Sequence, residues 1–300
     1  MEASQVTAAA PQVAGGWRTV VGDYVALTKP KVQSLLLLTT VCSMEIAGDP
    51  SVGLVALTVV GGYLSAGGAG AVNHYYDRDI DALMPRTANR PVTAGRVSPR
   101  AALLYGVALA ALSFLLLATT VNLLAASLAL TGFLGYVFVY TVWLKRRTPQ
   151  NIVIGGAAGA IPPLVGWAAV TGELAGMPIY LFAIVFFWTP PHFWALSLLM
   201  KDEYKRVGVP MLPVVKGEAE TRKQILLYSV LLWAVTQLPF CAGGLGTLYL
   251  VASLVLGAMF IGGAVVLYRR ADRRSALRLY LFSLAYLALL FGAMVLDVKL

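Results

Sequence analysis

Charge is scarce in this sequence. Of 300 residues only 12% are Asp, Glu, Lys or Arg, while 59% are hydrophobic. A soluble domain of this length needs more charge than that to cover its surface. A chain in lipid turns apolar side chains outward, so the shortage points to a membrane-embedded protein. Acids are the rarer sign, 14 against 23 Lys and Arg, for a net charge of +9. In a soluble protein that balance would suggest nucleic acid. Here the basic residues stand in short segments between apolar runs, a topology signal, and no nucleic-acid partner is expected. Only two cysteines occur, Cys42 and Cys241, far apart in apolar segments. That excludes a disulfide framework or a zinc motif and reads as two small buried hydrophobes. Residues 1–16 are rich in Ala, Gly and Gln and lack a basic leader. They read as neither a signal nor a transit peptide, and we expect residues 1–20 to form a disordered cytoplasmic N-terminus.

What is abundant is long apolar runs. A membrane-spanning helix needs about 17–25 such residues. Nine runs qualify, near 32–48, 53–75, 101–118, 123–144, 151–170, 178–200, 224–241, 247–268 and 279–296. The expected fold class is therefore all-α, a polytopic bundle of nine transmembrane helices over residues 21–300. Pro190 and Pro191 fall inside the sixth run and predict a kink. With this assignment, every Lys and Arg but Lys299 falls on one side. The basic side is cytoplasmic by the positive-inside rule. The expected location is the cell (inner) membrane, multi-pass, with the N-terminus inside and the C-terminus outside. The two long loops, near 76–100 and 201–223, also fall on the basic side. Long loops on a rigid scaffold are where function concentrates.

The first of these loops follows the segment Asn73-His74-Tyr75-Tyr76-Asp77-Arg78-Asp79-Ile80-Asp81. Asn73, Asp77 and Asp81 are spaced i, i+4, i+8 and share one helix face. Like charges stacked there repel unless a cation lies between them. Hard oxygens at this density suit Mg²⁺, which keeps waters and bridges to phosphate. The plainer reading, a solvated helix end with Arg78 as counter-ion, does not explain an acidic face where ionisable groups are costly. Next come Arg86 and Arg90, flanked by Pro85 and Pro91. Guanidinium forks fit phosphate oxygens, so acids and arginines together read as a metal–diphosphate site. His74 stands near the interface, where a polar group is easily solvated.

A second cluster closes the sixth run: Pro190-Pro191-His192-Phe193-Trp194, then Lys201-Asp202-Glu203-Tyr204. His192 and Glu203 project within about 20° of one helix face, roughly 16 Å apart along the axis. The cluster offers a second set of metal ligands, with His192 deeper in the membrane. Tyr75, Tyr76, Phe193, Trp194 and Tyr204 surround both clusters, as cation-stabilising rings or as interfacial aromatics. The turn around Lys145, Arg146 and Arg147 is a phosphate contact or a topology anchor. The run Gly155-Gly156-Ala157-Ala158-Gly159-Ala160 permits close helix approach.

These residues carry a resemblance. Asn-x-x-x-Asp-x-x-x-Asp at 73–81, with an acidic motif after the sixth run, resembles the UbiA superfamily of intramembrane prenyltransferases. The stretches 73–91, 151–166, 190–196 and 208–217 are similar to its branch that farnesylates protohaem IX (haem B), giving haem O. Two features depart from the wider superfamily: His74 where many members have Asp, and no plain Asp-x-x-x-Asp in the second motif. Glu203 also stands where the branch commonly has Asp. The resemblance implies Mg²⁺ on Asn73, Asp77, Asp81, Asp202 and Glu203 as the catalytic set. It implies farnesyl diphosphate neutralised by Arg86, Arg90, Lys145 and Lys201, and haem placed by His192. It implies as partners the lipid bilayer and haem A synthase or oxidase assembly factors. A transferase with an aromatic acceptor is a competing reading, set against the Pro-Pro-His-Phe-Trp stretch. A secondary transporter is another. Transporters place broken helices at the midplane in repeated halves, whereas these acids gather at one face.

Overall fold

A computed structural model describes residues 16–300. The expected disorder of residues 1–15 lies outside the described residues. The expectation for 17–20 is corrected, because helix α1 (Trp17–Leu27) begins there. The chain continues through α2 (Pro30–Ala47), α3 (Val52–Tyr76), α4 (Arg78–Ala82), α5 (Pro99–Thr120) and α6 (Leu123–Leu134). Helix α6 runs on as a π-helix over Gly135–Leu144. Then follow α7 (Asn151–Gly159), α8 (Ile161–Thr171), α9 (Met177–Leu199), α10 (Lys201–Arg206) and α11 (Leu212–Val215). The last four are α12 (Gly217–Val235), α13 (Leu238–Cys241), α14 (Thr247–Arg270) and α15 (Arg273–Lys299). No strand occurs among the described residues, so the all-α expectation holds.

Among the described residues, eight spans are long and apolar enough to cross a membrane. They are α3, α5, α6 with its π extension, α7–α8, α9, α12–α13, α14 and α15. Helix α2 occupies the place of the first expected span but is not among the eight. Its polar residues Gln33, Thr39, Thr40 and Ser43 are buried inside the protein, while Val32 and Leu38 face outward. Inward polar side chains are tolerated in a bundle, and they lower the apolar character of this helix. Helix α9 passes through Pro190 and Pro191 without a break. The supposed long loop at 201–223 is mostly helical, as α10, α11 and the start of α12. Cys42 is buried as expected, but Cys241 is exposed at the end of α13, which corrects that reading.

Small residues set how close the helices come. A Cβ on Gly68 would lie 2.6 Å from the Gly106 carbonyl, so α3 and α5 touch backbone to backbone. A Cβ on Gly70 would lie 3.0 Å from the Leu27 carbonyl, and one on Gly67 as close to Thr28. Those two glycines let the α1–α2 turn settle onto α3 one turn before Asn73. In the 155–160 run, Gly156 faces Thr189 of α9, so this run does bring helices together.

Side-chain bonds gather the basic segments at one end of the bundle. Arg96 Nε lies 2.9 Å from Asp23, and Arg273 donates to the Leu199 carbonyl at 3.0 Å. At the other end Lys299 pairs with Glu45 (3.3 Å) and Asp49, giving Glu45 a partner far away in sequence.

Candidate active site

The site is built where α3 ends. Backbone bonds Asp77 N→Asn73 O (2.9 Å) and Asp81 N→Asp77 O (2.8 Å) carry the helical register across the α3–α4 junction. Asn73, Asp77 and Asp81 therefore stay on one face, and all three are buried. Asn73 Nδ2 donates to Asp77 Oδ2 at 2.7 Å and lies 3.3 Å from Thr141 Oγ1. Thr141 is supplied by the π-helix. A π-helix is a rare geometry, frequent at functional sites.

The positive partners of these acids come from two separate segments. Lys145, just after the π-helix, bonds Asp77 Oδ2. Arg146 grips Asp79 with two nitrogens, each at 2.7 Å, and reaches Asp77 Oδ1 at 3.4 Å. Its guanidinium also lies over the Tyr76 ring, 5.0 Å from the centroid. Hydrogen bonding from Arg146 holds Asp79 down to about 2, despite a burial effect in the other direction. Arg90 Nη1 lies 2.6 Å from Asp81 Oδ2. The cation needed between these carboxylates is thus supplied, in this structure, by the protein's own Lys and Arg.

Lys29 was read from sequence only as a topology charge. It belongs to the site. Its Nζ donates to Asn73 Oδ1 at 2.6 Å. Its backbone sits in the left-handed region at φ 53°, which a side chain other than Gly adopts at a cost. Burial, then Arg90 and Lys145, lower its ammonium to about 7, while Asp77 and Asp81 pull upward. The signal in the sequence was a Lys-Pro step opening an apolar run. Thr141, Tyr136 and Tyr140 were also missed, because a π-helix presents a face that a 3.6-residue period does not reveal. The Tyr136 and Tyr140 ring centroids are 5.4 Å apart.

The second motif approaches the first through apolar packing. Tyr204 is buried in a cluster with Ile80, Met84 and Met211. Burial raises its phenol, with Arg86 pulling it down and Glu203 pushing it up. Glu203 carries a buried Oε2 with no hydrogen-bond partner among the described residues, whereas Asp202 is exposed. Arg86 is exposed. Lys201, expected beside the diphosphate, bonds Glu218 at 2.9 Å instead. His74 corrects an expectation as well. It is 3% exposed, and neither ring nitrogen has a partner among the described residues, so it is not solvated.

His192 stands apart from the acids, on the α9–α15 interface. Its ring stacks on Trp188 (4.3 Å, 18°) and Tyr280 (5.0 Å, 29°), and Nδ1 lies 2.6 Å from Ser283 Oγ.

No three carboxylate, imidazole or thiol groups converge on one point among the described residues. An all-protein cage for a metal is therefore not what is built. Mg²⁺ does not require one, since it takes one or two carboxylates and completes its shell with water and substrate phosphate. The hard oxygens of Asn73, Asp77 and Asp81, with the orphaned Glu203 oxygen, fit that mode.

Such a bundle, with buried acids and bases at one end, defines a multi-pass membrane protein. The model of the UbiA prenyltransferase family matches residues 36–290, and the chain belongs to that family. It is 56% identical to the "Protoheme IX farnesyltransferase" of Symbiobacterium thermophilum, covering 93% of this chain and 95% of that protein. It is also 56% identical to proteins of that name from Chloroflexus aurantiacus and Thermus thermophilus, over 94% of this chain. Of those two it spans about half, 48% and 46% of their lengths. Among solved structures, a digeranylgeranylglyceryl phosphate synthase superposes with a TM-score of 0.77 at 19% identity, covering 93% of this chain and 99% of that one. A UbiA homolog from Archaeoglobus fulgidus, bound to DMAPP and Mg²⁺, gives 0.67 at 18%, covering 91% and 99%. These two show a shared fold.

Proposed function

We propose that the protein transfers a farnesyl group from farnesyl diphosphate to a vinyl group of protohaem IX, with addition of water, giving haem O. The observation that carries the reading is the buried pair Asn73–Asp77, bonded to each other and held by Lys29, Lys145 and Arg146, with Arg90 on the next acid in register, Asp81. Anionic and cationic groups interleaved like this suit a metal and a diphosphate bound together. Relatives sharing 56% identity carry the name of the haem reaction, and an A. fulgidus homolog of the same fold is described as holding Mg²⁺ and a prenyl diphosphate.

Asn73, Asp77 and Asp81 would hold Mg²⁺, with Glu203 better placed than Asp202 to add an oxygen. Bound there, the ion supplies Lewis-acid stabilisation of the departing diphosphate. Lys29, Arg86, Arg90 and Lys145 neutralise its remaining charge. Ionisation at the farnesyl C1 leaves an allylic cation near Tyr136 and Tyr140, whose ring faces favour positive charge. The protohaem vinyl group forms the new carbon–carbon bond, and water adds to the resulting cation with loss of a proton. The helices keep bulk water from the allylic cation. His192 positions the haem. We assign the basic end to the cytoplasmic side of the cell membrane, with the C-terminus outside, on the positive-inside rule. Haem A synthase or oxidase assembly factors are the partners that a haem O product would serve.

The test is to incubate purified protein with protohaem, farnesyl diphosphate and Mg²⁺. The expected result is a haem whose mass rises by one farnesyl group and one hydroxyl. No haem product, with farnesyl transferred to hydroxybenzoate instead, overturns the reading.

A further inference from the structure

Ser283 lies ten residues past Arg273, the first residue of α15, buried, with no part in the diphosphate site. Its hydroxyl makes two contacts of 2.6 Å, to the Tyr280 carbonyl and to His192 Nδ1. A hydroxyl has one proton. A carbonyl cannot donate, so the Ser283 proton goes to Tyr280 O. The contact to His192 then requires a hydrogen on Nδ1. In the neutral ring the lone pair is left on Nε2, which has no bond to any described residue.

Three further contacts hold the ring in that orientation. Trp188 and Tyr280 cover its two faces. Trp188 is itself tied down, because its Nε1 donates to the Ser283 carbonyl at 2.8 Å. A 180° ring flip would have to slide the imidazole between two aromatic rings. The chain of Nδ1–H, Oγ–H and C=O also polarises toward the carbonyl, which favours Nε2 as an electron-pair donor. Histidines that bind metal ions are commonly oriented in this way, their second nitrogen donating to an oxygen.

We propose that Ser283 is a positioning residue: it fixes the tautomer and angle of His192 so that Nε2 can act as an axial ligand to the iron of the acceptor porphyrin. The inference rests on the proposed haem reaction. Its plain competitor is an interhelical bond that only fastens α15 to α9.

Optical and resonance Raman spectra of the full chain with protohaem separate the two. In the wild type we expect a histidine-ligated iron. His192→Ala should lose that signature, and added imidazole should restore it. Ser283→Ala should keep the fold but weaken haem binding ten- to a hundredfold, the range for second-layer partners of metal ligands, and shift the iron–histidine stretch. Ser283→Thr, which keeps a hydroxyl, should restore both. A spectrum and haem affinity unchanged in folded Ser283→Ala overturn the positioning role. A spectrum unchanged in His192→Ala overturns the ligation. Either outcome leaves the haem reaction standing if the wild type still turns over. Lack of wild-type turnover, by contrast, removes the functional reading on which the inference rests.

Discussion

Lys29 and Asn73, 44 positions apart in the chain, meet at 2.6 Å, and the lysine sits in left-handed backbone to do so. Two costs are concentrated there, a strained φ and a desolvated ammonium. Lys29→Gly removes both. We expect the metal-free variant to be more stable by about 1 kcal/mol, the scale of left-handed strain, while turnover falls at least tenfold. The pH profile gives a second check. Between about pH 7 and the ordinary 10.5, the unfolded chain keeps the Lys29 proton and the folded chain releases it. Stability of the metal-free wild type therefore climbs with pH across that window, and Lys29→Gly should lack the climb. Chemical denaturation in detergent, alongside turnover, measures both.

Asp77 and Asp79 are two positions apart and should behave differently. Asp77 is fully buried among Asn73, Lys145 and Arg146, whereas the Asp79 side chain is 60% exposed and meets only Arg146. Asp77→Asn should abolish prenyl transfer. Asp79→Asn should cost turnover no more than a few-fold, because an exposed pair contributes little. Equal losses in steady-state assays would contradict the assignment of Asp77 to the metal.

Arg90 neutralises Asp81, whose side chain is 4% exposed. Arg90→Ala leaves that carboxylate buried and unpaired, a change that costs about 3–5 kcal/mol. Mg²⁺ should recover part of it by standing in for the lost charge. We expect a larger Mg²⁺-induced rise in Tm for Arg90→Ala than for wild type. EDTA should remove the rise in both.

Glu203 and Asp202 are neighbours with different surroundings. Glu203 Oε2 is buried without a partner among the described residues, and Asp202 is exposed. Glu203→Gln should weaken Mg²⁺ dependence of turnover by about tenfold or more, and Asp202→Asn by less than threefold. Titration of activity against Mg²⁺ decides the order. A larger effect at Asp202 would reverse it.

Much of the site could be read along the chain because it depends on local rules. The i, i+4, i+8 spacing fixes Asn73, Asp77 and Asp81 on one face wherever a helix passes through them. His192 stood out because an imidazole in an apolar run is costly to place without a role. Other features escaped. Lys201 stands in the sequence as a cation without a partner, whereas in the fold α12 brings Glu218 to it. His74 looked solvated, but packing enclosed it. Glu203 could not be separated from Asp202 by sequence, since burial is a property of the neighbours that cover each side chain.

By itself, the sequence determined that the protein is a helical membrane bundle with its basic segments on one side and its acids in register at the end of one helix. Hydrophobic length, charge alternation and helical period are local, so composition and spacing suffice. Which cation meets which acid was decided only by the tertiary structure. Lys29 and Lys145 reach their partners from 44 and 68 positions away. They do so through the close approach allowed by Gly67 and Gly70 and the wider winding of the π-helix. The physical reason is that electrostatic pairing acts through space, and only packing brings distant charges within that range.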